Sequence, residues 1–341
     1  MTHRLCFISR NYRGVESSGN KAKTDNEQTL QLMGATNLGL PTTYYDNKVL
    51  TFFLDLAGVV RALLRMRRGD TLLLQYPVKK YFSLICQVAR WRGVHPIALI
   101  HDLGSMRRRK LTVQHEIRRL SHAEDVIASN ETMARWLHEQ GLLCPTGALG
   151  LFDYRSTAVA PQRSALPDAV PSLVYAGVLA RRKNSFLLQL CRRASPHYRL
   201  DIYGNRNGLP GLVESEHLRL HDFMPAEAFI AGGVGDYGLV WDGDSTDSCT
   251  GSFGEYLRWN SPHKVSFYLR AGLPVIIWRE AAVASIIERE GIGLCIGSLD
   301  ELDSLLPTIT PKQTERMRAN VRRISEKLAQ GGFLREALSR V

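Results

Sequence analysis

The sequence predicts an α/β protein of two doubly wound halves, and three observations carry the prediction. Short apolar, β-rich runs alternate with amphipathic segments almost from end to end, the pattern of βαβ units and parallel sheets. The alternation lapses once, over GALGLFDYRSTAVAPQRSALPDAVP (147–171), a stretch rich in Pro, Ala and Ser, and then restarts. The chain has 341 residues, and about 100–200 residues make one domain. Two Rossmann-like domains facing a cleft are therefore expected, since open α/β sheets bind ligands outside the carboxyl ends of their strands.

Taken in order, the first half offers LCFIS (5–9), TLLLQYP (71–77), IALIHD (97–102) and DVIAS (125–129) as strands. Each is an apolar run of the length that a buried parallel strand requires. Helices fill 24–35, 49–67, 80–92, 112–121 and 131–139 between them. In the second half the strands are SLVYAG (172–177), YRLDIYG (198–204), YGLVWDG (237–243), PVIIW (274–278) and GLCIGS (293–298). A helix over 184–193 follows the first of these, and another over 262–271 starts with Ser261 as N-cap and Pro262 in its first turn and stops at Gly272. A long basic helix spans 311–329. The expected domains are 1–155 and 170–310, with 311–341 a C-terminal helical segment free to pack back on the first.

Composition excludes several classes. Hydrophobic residues make up 44% and charged residues 23%, and no run of eighteen apolar residues occurs, so a transmembrane helix is not expected. The N-terminus, MTHRLCFISRNYRG, enters a strand without a long apolar region or a small-residue cleavage site, which predicts a cytoplasmic protein. Six cysteines (Cys6, Cys86, Cys144, Cys191, Cys249, Cys295) stand far apart with no CxxC, which suggests neither a zinc site nor a disulfide framework; no metal is expected.

The net charge of +11 is uneven: residues 1–150 hold 21 Lys and Arg against 12 Asp and Glu, and residues 151–341 hold 23 against 21. The excess gathers at Arg61, Arg65, Arg67 and Arg68, at Lys79-Lys80-Tyr81-Phe82, at Arg90-Trp91-Arg92 and at Arg107-Arg108-Arg109-Lys110. Cations beside aromatics suit the anionic inner face of a cell membrane, to which the protein would bind peripherally. An ordinary solvated basic face is the alternative. No nucleic-acid partner is expected, because no helix-turn-helix, zinc finger or RNP-like aromatic motif accompanies the charge.

The richest chemistry lies in WDGDSTDSCTGSFGEYLRWNSPHK (241–264). His263 and Lys264 fall in the first turn of the predicted helix, beside free backbone N–H groups and the positive end of its dipole, where cations are unfavourable for the helix itself. An anion between them resolves the conflict, and a diphosphate is a natural one. Arg181, Arg182 and Lys183, in the loop after the strand SLVYAG, stand at the same carboxyl edge, where one of them reaches the same phosphates or all are merely exposed loop charges. No GxGxxG follows any strand, GNRNG (204–208) lacks that spacing, and no GxxxxGK[ST] occurs. Nicotinamide redox chemistry and P-loop hydrolysis are thereby disfavoured, which leaves transfer from a nucleotide sugar.

The stretch YGLVWDGDSTDSCTGSFGEYLRWNSPHKVSFYLRAGLPVIIW, followed by AAVASIIEREGIGLCIGSLDEL, resembles the bacterial β-1,6-galactofuranosyltransferases of O-antigen assembly. These sit in a wider group of GT-B glycosyltransferases that includes glucosyltransferases modifying serine-rich adhesins. SSGNKAKTDNEQTL, IHDLGSMR and LVYAGVLARRKNSF are further landmarks, so the resemblance spans most of the chain. Where other members carry a second Asn before Pro-His-Lys, this chain has Ser261. The resemblance implies the GT-B fold, an acceptor site in the first half, a UDP-sugar donor in the second, no divalent metal and no cofactor beyond that donor.

On this reading Asn260, His263 and Lys264, with Arg181 and Lys183, neutralise charge growing on the β-phosphate as the glycosidic bond breaks. Tyr203, Gly204 and Asn205 line a uracil pocket with Phe223 and Met224. Asp242 and Asp244 either bind sugar or ribose hydroxyls or cap their own loop; Glu255 could bind likewise, and Tyr256 and Trp259 pack on the sugar. Inversion needs a base: Asp102 is the candidate and His101 the runner-up, with a loop-capping role for Asp102 the alternative. Lys21, Lys23 and Asp25, placed in an N-terminal loop, shape the acceptor pocket. The expected acceptor is a saccharide, lipid-linked in cell-surface polysaccharide synthesis, and a homo-oligomer is an open expectation. The competing functions are a UDP-glucose or UDP-galactopyranose transferase of the same fold and a non-catalytic nucleotide- or carbohydrate-binding module.

Overall fold

A computed structural model of the chain describes residues 4–13, 18–78, 81–107, 111–162, 170–193 and 197–341. Lys79, Lys80, Arg108, Arg109 and Lys110 of the expected basic clusters lie outside them, as do residues 163–169 of the interrupted stretch. The chain forms two compact units, Met1–Tyr154 with Gln330–Val341 and Arg155–Ala329.

The first unit runs β1 (Leu5–Phe7), α1 (Ser18–Leu32), β2 (Thr36–Asn37), α2 (Lys48–Arg65), β3 (Thr71–Tyr76), α3 (Phe82–Trp91), β4 (His95–Ile100), α4 (Gly104–Arg107), α5 (Val113–Leu120), β5 (Asp125–Ala128), α6 (Glu131–Glu139) and β6 (Thr146–Ala148). Its strands form one parallel sheet in the order β2-β1-β3-β4-β5-β6. Leu72, Leu73, Leu74, Ile97, Ala98, Leu99, Val126 and Ile127 are all buried, which is why these strands read as unbroken apolar runs instead of alternating ones. Helix α1 starts six residues before the expected helix, so Lys21, Lys23 and Asp25 are helical and not in a loop. The Lys21–Asp25 ion pair, four residues apart at 2.6 Å, supports that turn.

The second unit continues with β7 (Ser172–Ala176), α7 (Arg181–Asn184), α8 (Phe186–Leu190), β8 (Arg199–Tyr203), β9 (Leu218–His221), α9 (Ala226–Gly232), β10 (Tyr237–Val240), α10 (Gly251–Gly254), α11 (His263–Arg270), β11 (Val275–Trp278), α12 (Ala284–Glu290), β12 (Gly293–Ile296), α13 (Leu302–Leu305) and α14 (Pro311–Ala329). Its sheet is again parallel, ordered β12-β11-β10-β7-β8-β9. From β7 the chain builds outward through β8 and β9, then returns to the other side of β7 for β10, β11 and β12. The β7/β10 boundary is therefore the switch point of this unit, where adjacent crossovers leave in opposite directions and open a crevice.

Residues 311–341 are not one segment. Helix α14 belongs to the second unit, held by Arg318 to Asp236 at 3.1 Å and by Arg270 of α11 to Ser325 at 2.9 Å. The last helix, α15 (Gly332–Leu338), belongs to the first unit. There the Asp153 carboxylate accepts from the amides of Phe333 at 3.1 Å and Leu334 at 2.8 Å, satisfying N–H groups that no helical carbonyl reaches.

Candidate functional site

The carboxyl edge of the second sheet gathers a polar cluster at its switch point. Helix α11 begins at His263, and its cap is Pro262, not Ser261 as the sequence suggested. Proline holds φ at −68° with ψ at 125°, an extended entry that no side-chain bond supports, and Ser261 is buried. His263 and Lys264 occupy the first turn as expected. Tyr268 anchors the helix on the sheet, its hydroxyl accepting the Ala176 amide at 2.7 Å.

Lys264 is the unusual group. Its Nζ is shut off from solvent and makes no hydrogen bond among the described residues, although part of the side chain remains exposed. The ammonium lies 3.6 Å from the centroid of the Tyr175 ring, a cation–π contact made by a β7 side chain. The Tyr175 hydroxyl donates to Asp242 at 3.3 Å and accepts from Asn184 at 3.0 Å. Burial pushes the Lys264 ammonium down to about 7, opposed by the charge of Asp242 and reinforced by that of Lys183. Asn260 Oδ1 is a second buried polar atom with no hydrogen bond among the described residues, four positions before Lys264.

Backbone geometry makes the room. Gly177, which follows β7, has φ +146°, a conformation that strains any side chain, and its Cβ position lies in ordinary contact with Lys264, 3.7 Å from Cε. At Gly204, after β8, a Cβ would collide with the Gly177 carbonyl oxygen. Only glycine permits the loops after β7 and β8 to come that close.

The other expected donor residues are distributed as follows. Arg181, Arg182 and Lys183 form α7 instead of a loop; Arg182 and Lys183 lie 5.5 and 5.9 Å over the ring of Phe253, and Arg181 and Arg182 are exposed. Asp242 joins the cluster through Tyr175. Asp244 does not: Thr250 donates to its carboxylate, while Trp241 and Gln189 hold the carbonyls of Ser245 and Asp244, a loop-locking role. Tyr203 is only 8% exposed, with its ring stacked 4.4 Å from His221 and edge-on to Phe229 at 5.4 Å. One face is thus occupied by protein, and the ring reads as core. Asn205 is exposed and accepts from the Asn207 amide at 3.0 Å; Phe223 is exposed after β9, and Met224 is half-buried. Glu255 is exposed, Tyr256 buried and Trp259 half-buried.

In the first unit two of the candidates, Lys23 and His101, meet through one unexpected residue, Gln75 of β3. Its Nε2 donates to the Lys23 carbonyl at 3.1 Å, which fixes the amide so that Oε1 accepts from Asn26 at 3.1 Å and from His101 Nε2 at 2.8 Å. His101 therefore donates through Nε2 to Gln75 Oε1. The imidazole stacks 4.9 Å from Phe152, and Lys21 Nζ lies 4.9 Å over Tyr154. Asp102, two residues past β4, is about one-third exposed and ion-paired with Arg107.

Buried Glu116 of α5 holds this loop. Its carboxylate accepts from Tyr76 at 2.9 Å, from the amides of Gly104 at 2.9 Å and Ser105 at 2.8 Å, and from the Ser105 hydroxyl at 2.5 Å. Nothing in the sequence marks Glu116, Gln75, Tyr175 or Asn184. Lone polar residues in predicted strands and helices acquire meaning only once the topology aligns them.

Comparison with known proteins places this geometry. The description of the N-terminal domain of glucosyltransferase 3-like proteins matches residues 5–151, and that of their C-terminal domain matches 173–341. The β-1,6-galactofuranosyltransferase WbbI of Escherichia coli (strain K12) is 28% identical over 278 residues, 81% of this chain and 80% of that one. Among solved structures, Anabaena HepE in complex with UDP superposes with a TM-score of 0.63 at 12% identity, covering 99% of this chain and 100% of that one. The lipopolysaccharide outer core galactosyltransferase WaaB superposes at 0.56 with 12% identity, covering 99% and 100%. Matched in order along both of its Rossmann-like units, the chain belongs to the glucosyltransferase 3-like family and is a glycosyltransferase of GT-B architecture.

Proposed function

We propose that the protein transfers galactofuranose from UDP-galactofuranose to a saccharide acceptor, lipid-linked in cell-surface polysaccharide synthesis, with inversion and without a bound metal. The observation that carries this reading is the Lys264 ammonium, buried at the N-terminus of α11 without a hydrogen bond among the described residues. A buried cation beside a second cation and a helix N-terminus, with Asp242 near but no acceptor bonded to its Nζ among the described residues, suits a further anion, and the diphosphate of a nucleotide sugar supplies one. The UDP carried by the HepE structure and the name of the 28% identical relative support the donor class.

In this mechanism Asp102 takes the proton of the acceptor hydroxyl as its oxygen attacks the anomeric carbon, and UDP departs with the bonding electron pair. Lys264, His263, Asn260 and the first-turn amides of α11 stabilise the growing charge on the β-phosphate, with Arg181 and Lys183 adding to the local field. Asp242 takes a donor hydroxyl.

Incubation with a panel of UDP-sugars, reading UDP release, tests the proposal. Release is expected with UDP-galactofuranose, unchanged in EDTA, with Asp102→Asn lowering kcat while UDP still binds. Lys264→Ala should abolish release and weaken UDP binding in a folded protein. Preferred release from UDP-glucose or UDP-galactopyranose would reassign the donor. UDP binding without turnover on any acceptor would make the protein a binding module, and loss of rate in EDTA would end the metal-free mechanism.

A further inference from the structure

Helix α2 is apolar on two faces. Thr51, Gly58, Val59 and Ala62 are buried against the first unit. Val49, Phe53, Val60 and Leu64 recur at helical spacing on the opposite side and are exposed, Phe53 at 60% and Leu64 at 74%. Together with Leu56, Ala57, Arg61 and Arg65, three of these form a shallow, open apolar surface along the one helix. Asn47 caps the helix through the amides of Val49 and Leu50, so the stripe is rigidly presented from its first turn. At its far end Arg92 holds the Leu63 carbonyl, which brings the C-terminus of α3 alongside; there Trp91 is 86% exposed beside Arg90.

Charge selects the occupant. Residues 48–68 contain five cations, Lys48, Arg61, Arg65, Arg67 and Arg68, and one carboxylate, Asp55. A second copy docking on this stripe would bring two sets of five cations, with only one carboxylate in each, onto one interface. An anionic bilayer neutralises them while accepting Phe53, Val60, Leu64 and Trp91 below the headgroups, and the arginine stems reach from the apolar layer to the phosphates. Among the described residues no helix is long and apolar enough to cross a membrane. We propose that α2, flanked by Arg61, Arg65, Arg67, Arg68 and Trp91, docks the first unit on an anionic phospholipid surface. This is independent of the donor reading, because none of these residues belongs to the α11 cluster.

Flotation of the full chain with phosphatidylcholine vesicles, with and without roughly 30% phosphatidylglycerol, tests it at low and high salt. Binding is expected only with the anionic lipid and should weaken as salt rises. Phe53→Asp and Leu64→Asp should each reduce it at least about tenfold, and Arg61→Gln and Arg65→Gln about fivefold each. Their melting temperatures and UDP-induced melting shifts should match those of the parent, which separates a failed interface from a failed donor site. Equal binding to neutral vesicles, or parent-like binding by the aspartate variants, overturns the proposal. So does a dimer in sedimentation that Leu64→Asp dissociates while no vesicle binds, since the occupant would then be a second copy.

Discussion

Lys264 carries its charge under a penalty of burial. The unfolded chain holds that ammonium's proton up to the ordinary lysine value of 10.5, while burial has lowered the folded value to about 7. Between those limits the unfolded state binds more protons, so stability of the second unit should rise with pH from about 7 toward 10.5, the reverse of a paired lysine. A diphosphate restores the charged form and takes up a proton when it binds. Above the ionisation of the terminal phosphate, UDP affinity should therefore fall with pH by up to about tenfold per unit. Calorimetric titration of UDP from pH 7.5 upward checks this, with Lys264→Met expected to bind weakly and without a pH slope. Removing a buried donor that lacks an acceptor should also stabilise the empty protein by about 1–3 kcal/mol. A flat profile in the parent would show that the cation faces no phosphate. The sequence exposed this residue because a cation in a helix's first turn conflicts with the helix dipole. It could not expose Tyr175, since a tyrosine in an apolar strand looks like core until its ring is found beneath the ammonium.

At the scale of elements, the loop after β4 shows how one side chain sets the position of another. Glu116 draws the Gly104 and Ser105 amides and the Tyr76 hydroxyl together, and so fixes the turn that carries His101 and Asp102. Glu116→Ala would leave those donors buried and unmatched, at a cost of about 2–4 kcal/mol. Urea unfolding should register that loss, and kcat should fall while UDP affinity is retained, because the donor cluster lies in the other unit. An unchanged midpoint would mean that water replaces the carboxylate without difficulty. Well-buried apolar strands such as β3, β4 and β11 were readable because burial on both faces leaves an uninterrupted run. Strands β2, β6 and β9 were not, at two to four residues with much of their surface only half-buried. For α1, the run SGNKAKTD is rich in residues that favour turns, so its helical start was hidden; in the fold the Lys21–Asp25 pair supports that turn, and the Thr24 hydroxyl spends its donor on the Asn20 carbonyl instead of on a competing turn.

For the whole molecule, the division at Tyr154 and Ala329 assigns the last twelve residues to the first unit while α14 belongs to the second. The sequence suggested the return but not its extent, because α14 and α15 are separated only by Gln330 and Gly331. Gly331 turns the chain at φ +73° where a Cβ would strike Thr29, and only contacts absent from the local sequence show on which side of that turn each helix belongs. Deleting residues 330–341 removes the buried Phe333 and Leu334 side chains and both amide partners of Asp153. Two such side chains contribute about 1.5–3 kcal/mol each, so the first unit should lose roughly 4–6 kcal/mol and melt well below the second. Differential scanning calorimetry with and without UDP distinguishes the units, since a ligand raises only the transition of the unit that binds it. The truncated chain should show one early transition indifferent to UDP and one parent-like transition that UDP still shifts. If both transitions fall together, the two units unfold as one, and the terminal helix supports the whole chain instead of the first unit alone.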